Sequence, residues 1–368
     1  MNGWFAVQNV SEVASPALLL YPERIRENLQ RMIRLAGGVR RLRPHIKTHK
    51  LAEVVRLQLE AGITRFKCAT IAEAEMAAGA GAKDILIAYP IVGPNVTRLL
   101  ELATAFPATA ISCVADDATA VQQLSKTFSD SGRTLEVLLD IDCGEHRTGV
   151  ECGAEAMELY RLIAASPGIR AGGLHVYDGH IREPDRVLRT ELCATAFAPV
   201  QAFRRDLLVA GLAVPRVVAG GTPTFPIHAQ HDSFECSPGT CVLWDFGYAD
   251  KFADLDFLIA AVVLTRVVSK PGAHRLCLDL GHKAVAAEKP PPRVQFLNLP
   301  EVTAVSHSEE HLVIESQQAG QFAVGDCLFG VPCHICPTVA LHAEATVIRA
   351  GRAAERWRIV ARDRRLTV

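Results

Sequence analysis

The chain has 368 residues, 49% of them apolar, and a formal net charge of −1. That length exceeds one small domain and suits a large domain joined to a smaller one, with enough apolar residues for a substantial core. A near-neutral chain lacks the basic surplus that nucleic acid or an acidic membrane surface selects, so neither is expected as a partner.

From residue 16 the pattern alternates between short β-branched runs and longer amphipathic stretches. "ALLLY" (17–21) reads as a strand, and the helix after it carries Ile25, Leu29, Ile33 and Leu35 near helical spacing and stops at Gly37-Gly38. "RLRPHI" (41–46), "RFKCAT" (65–70), "DILIAY" (84–89), "AISCVA" (110–115), "LEVLLDID" (135–142), "AGGLHVY" (171–177) and "RVVAGG" (216–221) read as further strands, most followed by a helical stretch. About eight strand–helix units predict a parallel sheet closed into a (β/α)8 TIM-type barrel over residues 16–250, with an open doubly wound sheet as the alternative. After residue 250 strand-like runs follow one another with Gly, Pro and Ser turns between them. Residues 251–368 therefore read as a C-terminal all-β domain without a convincing helix. Residues 1–15 fall outside the barrel pattern, and packing with the β domain is one option for them.

The eleven cysteines are scattered through apolar segments such as "FKCAT" and "RLCLDL", as reduced, buried thiols are. The first residues lack the features of a signal peptide, and the most apolar run, "FLIAAVVL" (257–264), is too short to span a membrane. A soluble cytoplasmic protein is expected.

In a barrel the chemistry collects at the C-terminal ends of the strands. Lys47 closes the second strand, Arg147 follows "LLDID", and Tyr177 and His180 follow the next strand. "AGGTP" (219–223) and "SPGT" (237–240) offer Gly221, Thr222, Gly239 and Thr240: small turns whose backbone N–H groups and hydroxyls can cradle a phosphate, though either can equally be an ordinary turn. Neither turn is a dinucleotide or P-loop motif. Lys47 lies between His45 and His49 and beside Arg43 and Lys50. Crowding by cations depresses a lysine's pKa and favours the neutral amine. A neutral amine at a strand end, with a phosphate cradle nearby, suits a Schiff base with pyridoxal 5'-phosphate. In "PCHICPT", His334 and Cys336 are two residues apart, and in a strand both would face one way and could bind one metal ion. A buried histidine beside a buried cysteine is the alternative.

Taken together, "RPHIKTHK", "DCGEHRTGV", "GLHVYDGH", "AGGT", "SPGT" and "PCHICPT" resemble the D-threonine aldolase and D-serine dehydratase family, fold-type III pyridoxal phosphate enzymes related to alanine racemase through the barrel. The resemblance implies that Lys47 bears the cofactor, that Arg147 contacts its phenolic oxygen, and that Tyr177 approaches its pyridine nitrogen. Thr222, Gly239 and Thr240 would hold the phosphate. His334 and Cys336 would ligate a divalent cation (zinc, manganese or magnesium), Cys336 favouring zinc. The family packs as homodimers. One departure stands out: where some D-threonine aldolases carry a second histidine three residues after the position of His180, this chain has Glu183. The base for the substrate hydroxyl would then be His180, Glu183 or metal-bound water. The implied activity is cleavage of β-hydroxy-D-amino acids to glycine and an aldehyde. The alternative is dehydration of D-serine or 3-hydroxyaspartate to a keto acid and ammonia. A racemase leaves the metal pair without a task, and a cofactor-carrying regulatory protein leaves the β domain unexplained.

Overall fold

The computed structural model describes residues 3–368. The chain divides into two compact units. One comprises Met32–Lys47, Ala52–Gly239 and Asp363–Val368. The other comprises the chain up to Arg31, Thr48–Leu51 and Thr240–Arg362. Strand β1 (Ala17–Leu20) belongs to the second of these.

The first unit holds β2 (Arg65–Cys68), β3 (Asp84–Pro90), β4 (Ala110–Ala115), β5 (Leu135–Ile141), β6 (Ile169–Val176), β7 (Val217–Ala219) and β8 (Phe234–Cys236). They form a 7-stranded parallel sheet in that order. The segment Leu42–His45 joins its two edges. Leu42 bridges Cys236 of β8, and His45 bridges Lys67 of β2, both in parallel sense. Arg43 N donates to Cys236 O, His45 N to Pro238 O, and Lys67 N to Pro44 O. The sheet thereby closes into the expected barrel. Its composition explains the closure. β5, "LEVLLDI", is almost entirely buried, as strands covered on both faces are. Leu86, Val114, Leu138 and Val218, one each from β3, β4, β5 and β7, form one interior cluster.

Two expectations about strand membership need correction. "ALLLY" is not a barrel strand, and "FEC" (234–236), absent from the sequence reading, is. An all-buried leucine run suits a strand in either kind of sheet, and a strand of three residues is too short to show a period. "RLRPHI" makes only isolated bridges, because Pro44 has no N–H for a continuous ladder. Lys47 accordingly sits in a 3-10 turn, Ile46–Thr48.

The strands alternate with helices, among them α1 (Pro22–Ala36), α2 (Ala52–Glu60), α3 (Ile71–Gly79), α4 (Asn95–Ala105), α5 (Ala118–Asp130), α6 (Ala154–Ala165) and α7 (Arg186–Val209). Thr70, Asp117 and Asp185 cap α3, α5 and α7 by accepting the N–H of Glu73, Ala120 and Leu188.

In the second unit β1 pairs antiparallel with β9 (Ala261–Gly272) and parallel with β10 (Glu344–Arg349). The 9-stranded mixed sheet also takes in the intervening strands and Arg352–Arg358. Its core includes Leu19, Tyr21, Val262, Leu264, Phe329, Val331 and Ile348, with Val7 and Val13 from the N-terminal segment. This unit is not free of helix beyond residue 250: Ile335–Leu341 forms a short one, which decides the geometry of the H-x-C pair. Among the described residues no helix is long and apolar enough to cross a membrane.

Candidate active site

Three cations surround the ring of Tyr177, the residue after β6. Arg147 Cζ lies 4.8 Å from the ring centroid, Lys67 Nζ 5.7 Å and Lys47 Nζ 5.9 Å. The barrel thus gathers the expected Lys47, Arg147 and Tyr177 and adds Lys67, which the sequence reading missed. Its one signal was a charge set between the apolar Phe66 and Cys68, both buried.

The source of cationic crowding at Lys47 also differs from expectation. Arg43 is fully buried and turned to acids: its guanidinium reaches Asp84 at 2.7 and 2.9 Å and Glu235 at 2.6 Å. Such a buried charge needs partners, and Arg43 serves as a strut between barrel segments. The His45 ring accepts the Lys47 N–H at 3.3 Å. The cation beside Lys47 comes from β2, not from its sequence neighbours.

A buried chain of hydrogen bonds runs behind this group. Lys67 Nζ lies 3.3 Å from His175 Nε2, His175 Nδ1 lies 2.6 Å from Asp140 Oδ1, and Asp140 Oδ2 accepts the Thr148 hydroxyl at 2.9 Å. Burial above all, and then Lys47, bring Lys67 down to about 7. Burial also lowers His175, so its imidazole is neutral. Burial raises Tyr177, which therefore stays a phenol.

The two glycine turns lie against each other. Gly220 has a φ of +71°, and a Cβ there would come within 2.4 Å of the His228 ring, so only glycine serves. Gly221 N donates to Thr224 Oγ1 at 3.3 Å, Gly239 N to Thr222 Oγ1 at 3.1 Å, and Ser237 N to Ala219 O at 3.3 Å. Ser237 Oγ is buried with no hydrogen-bond partner among the described residues. An orphan hydroxyl on one of two such adjoining turns fits an anionic group such as a phosphate. Thr240, the residue after Gly239, opens the 3-10 turn Thr240–Val242 and is buried.

His180 is one-third exposed (33%), and its Nδ1 lies 3.8 Å from Glu145 Oε2. Glu145 Oε1 in turn lies 3.9 Å from an Arg147 nitrogen. The carboxylate of Glu183 instead accepts the Asp185 N–H at 3.3 Å, at the start of α7. The acid beside His180 is therefore Glu145, from the same loop as Arg147.

In the other unit the H-x-C pair is not in a strand. The strand Cys327–Pro332 ends before it. His334 is the N-cap residue of the helix Ile335–Leu341, and Cys336 lies in its first turn. The i, i+2 strand argument fails, yet the helix start still lets the two side chains hydrogen-bond each other. His334 Nδ1 lies 2.5 Å from Glu288 Oε1, and buried Asp245 accepts the Ile335 N–H at 3.0 Å. Burial opposes the imidazolium, but Cys336, Glu288 and Asp245 outweigh it and raise His334 to about 9. Thr48 Oγ1 and Thr240 Oγ1 lie 3.2 and 3.7 Å from Cys336 Sγ. A soft sulfur beside an imidazole oriented by a carboxylate is a donor set suited to a divalent transition metal.

Asp178, Cys193 and His228 also bring three donor atoms close together, all buried. Both Asp178 oxygens are already engaged, by the Thr224 hydroxyl at 2.8 Å and His228 Nε2 at 2.6 Å. Burial first, and Asp178 next, push the Cys193 thiol up to about 12, so it is protonated. This trio is a hydrogen-bonded brace under the "AGGT" turn rather than a thiolate site.

A closed parallel barrel with a lysine, an arginine and a tyrosine grouped at one end, next to paired glycine turns, defines a barrel enzyme of the alanine racemase type. Residues 21–245 match the alanine racemase N-terminal domain, and residues 260–348 match a putative serine dehydratase domain. The chain is 31% identical to a D-threonine aldolase of Arthrobacter sp, covering 96% of this chain and 94% of that one. It is 29% identical to a 3-hydroxy-D-aspartate aldolase of Paracoccus denitrificans, over 96% and 93%. The crystal structure of a D-threonine aldolase from Filomicrobium marinum superposes with a TM-score of 0.89 at 28% identity, covering 98% of each chain. The chain belongs to the D-threonine aldolase and D-serine dehydratase family, whose implied cofactor is pyridoxal phosphate.

Proposed function

We propose that the chain is a metal-assisted lyase that cleaves β-hydroxy-D-amino acids to glycine and an aldehyde. The observation that carries the reading is the grouping of Lys47 and Arg147 around Tyr177 beside the orphan Ser237 hydroxyl, in a chain 31% identical to a D-threonine aldolase. Lys47 would bear the cofactor. Arg147 and Tyr177 would orient its ring, and Gly221, Thr222, Gly239 and Thr240, with Ser237, would hold its phosphate. When bound, pyridoxal phosphate supplies the electron sink for the pair left on Cα.

The chain's own residues supply the rest. Tyr177 is a phenol and a poor acid, so it would hold the cofactor ring without protonating it. His180, steadied by Glu145, is placed in the reading as the base that takes the proton of the substrate hydroxyl. His334 and Cys336 would hold a divalent ion, zinc, manganese or magnesium, whose Lewis acidity makes that hydroxyl easier to deprotonate. Glu288 would orient His334 and keep its other ring nitrogen turned toward the ion. No disulfide links the eleven cysteines among the described residues, which agrees with a cytoplasmic setting, and a homodimer completes the reading.

The second reading, a dehydratase releasing a keto acid and ammonia, is favoured by the match of residues 260–348 and by the soft Cys336 ligand. One paired assay on D-threonine, D-phenylserine, D-serine and 3-hydroxy-D-aspartate separates the two. Glycine with aldehyde supports the lyase reading, and keto acid with ammonia replaces it by the dehydratase. Release of neither, from protein loaded with cofactor and metal, defeats both.

A further inference from the structure

Arg293 is a half-buried cation that pairs with no acid among the described residues. Its Nη1 lies 3.3 Å from His282 Nε2 and 3.2 Å from His307 Nδ1, and its Nε donates to Lys289 O at 2.8 Å. A guanidinium only donates, so both imidazole nitrogens that face it accept. His307 Nε2 donates to Leu280 O at 3.0 Å, which fixes the tautomer of that ring. Burial first, and His282 next, bring His307 down to about 4, so it adds no charge. The two rings meet edge to face, with centroids 4.4 Å apart. The acids that follow Ser308, Glu309 and Glu310, turn to Lys283 at 2.9 and 2.8 Å. Arg293 is thus fixed in place by groups that leave its charge uncompensated, and its Nη2 has no partner among the described residues.

The same stretch of backbone reaches the H-x-C pair. Arg293 O accepts the N–H of Cys333, the residue before His334, at 2.8 Å, next to the antiparallel pairing of Val294 with Pro332. The carbonyl that holds Arg293 Nε belongs to Lys289, and the residue before it, Glu288, lies 2.5 Å from His334 Nδ1. One loop, 288–293, therefore orients the imidazole of the metal pair at one end and carries the uncompensated guanidinium at the other, all within one compact unit.

A fixed fork of N–H donors without a counter-ion is an arrangement that binds a carboxylate. We propose that Arg293 is a specificity-determining residue: it binds a carboxylate carried on the substrate's Cβ, beside the hydroxyl on which the metal pair acts. The inference rests on the metal-assisted reading, because an ion at His334 and Cys336 fixes where Cβ and its hydroxyl stand. His282 and His307 hold the guanidinium without neutralising it. Acids in their places would neutralise it, as Asp84 and Glu235 do for Arg43. The favoured substrates are then β-hydroxy-D-amino acids with an acidic side chain. D-threonine, whose methyl group leaves the fork unpaired, is a poorer one.

Two measurements test it. Succinate is titrated into the full chain with cofactor bound and metal chelated, and the ring resonances of His282 and His307 are followed, assigned through His282→Gln and His307→Gln. Both should shift to saturation in the native chain and neither in Arg293→Met. No saturating shift, a shift that persists in Arg293→Met, or an equal shift with sodium chloride at matched ionic strength would overturn the site. On the fully loaded protein, kcat/KM in the native chain should favour 3-hydroxy-D-aspartate over D-threonine. The ratio of the two should fall about tenfold or more in Arg293→Met. Arg293→Lys, which keeps the charge but not the fork, should lie between them, and it carries the test if the methionine variant does not fold. A native preference for D-threonine, or a ratio unmoved by the variants, would overturn the assignment, since a merely structural arginine lowers both substrates together. Failure of the underlying reading looks different: a native chain that turns over neither substrate removes that reading and leaves the succinate result standing.

Discussion

Asp178 Oδ2 stands 2.6 Å from His228 Nε2, with both side chains almost completely buried. The other carboxylate oxygen takes the Thr224 hydroxyl at 2.8 Å, and Thr224 Oγ1 receives the Gly221 N–H at 3.3 Å. One carboxylate directly after Tyr177 therefore braces the "AGGT" turn. Asp178→Asn keeps the shape but puts an amide nitrogen where an acceptor is needed. The variant should lose about 1–3 kcal/mol of stability, the scale of a buried group left unsatisfied. It should also bind pyridoxal phosphate more weakly. Unfolding midpoints and a fluorescence titration measure the two effects, and native values for both would show that the brace is dispensable.

Ser237→Ala should separate stability from binding. The hydroxyl is buried without a partner among the described residues, so its removal should leave the cofactor-free chain equally stable or slightly more stable. Pyridoxal phosphate affinity should nonetheless fall by about 1–2 kcal/mol, the worth of one hydrogen bond to a charged group. Unchanged affinity would move the phosphate away from these turns.

Borohydride reduction of the loaded protein, followed by peptide mapping, should find the cofactor on Lys47. Label on Lys50, whose Nζ reaches toward Ala361 O at 3.5 Å, or on Lys283, which pairs with Glu309 and Glu310, would overturn the assignment.

Chelation, or His334→Ala, should abolish turnover of β-hydroxy-D-amino acids while the cofactor absorbance stays nearly intact. The asymmetry is expected because the residues assigned to the cofactor come from the barrel strand ends and glycine turns, and the metal donors come from a separate helix start. Full turnover after exhaustive chelation would remove the metal from the mechanism and reopen a racemase.

Lys67 makes stability depend on pH with a defined sign. An ordinary lysine titrates at 10.5 and the folded Lys67 at about 7. Between those values the unfolded chain binds more protons, so the contribution of this group to stability rises with pH across that window. Below about 7 the folded chain bears the full cost of a buried ammonium. Lys67→Met should therefore flatten the rise in urea midpoint between pH 7 and pH 9.5. An unaltered rise would mean that Lys67 titrates as an exposed lysine does.

Sequence alone carried the barrel, because its signal is repeated. Alternating β-branched runs and amphipathic helices recur along residues 65–219, and β5 with its neighbours is apolar over its whole length. The reactive positions were legible for a related reason. Lys47, Arg147, Tyr177 and the turns at 219–222 and 237–240 fall at strand ends, where the chain must change direction and polar residues have no packing role. Three features needed the folded chain. The leucine run of β1 looks the same whether it pairs in a barrel or a mixed sheet, and only its pairing with β9 and β10 decides. The His334–Cys336 pair was found by spacing but misplaced by period, because a helix starting at Ile335 breaks the strand that the apolar run suggested. The electrostatics were hidden altogether. Arg43, next in line to Lys47 by sequence, is spent on Asp84 and Glu235, and the cation that does reach the site is Lys67, twenty positions along the chain on another strand. Sequence determines which side chains are available and where the backbone turns. Charge acts through space and burial, and those distances exist only once the sheet has closed.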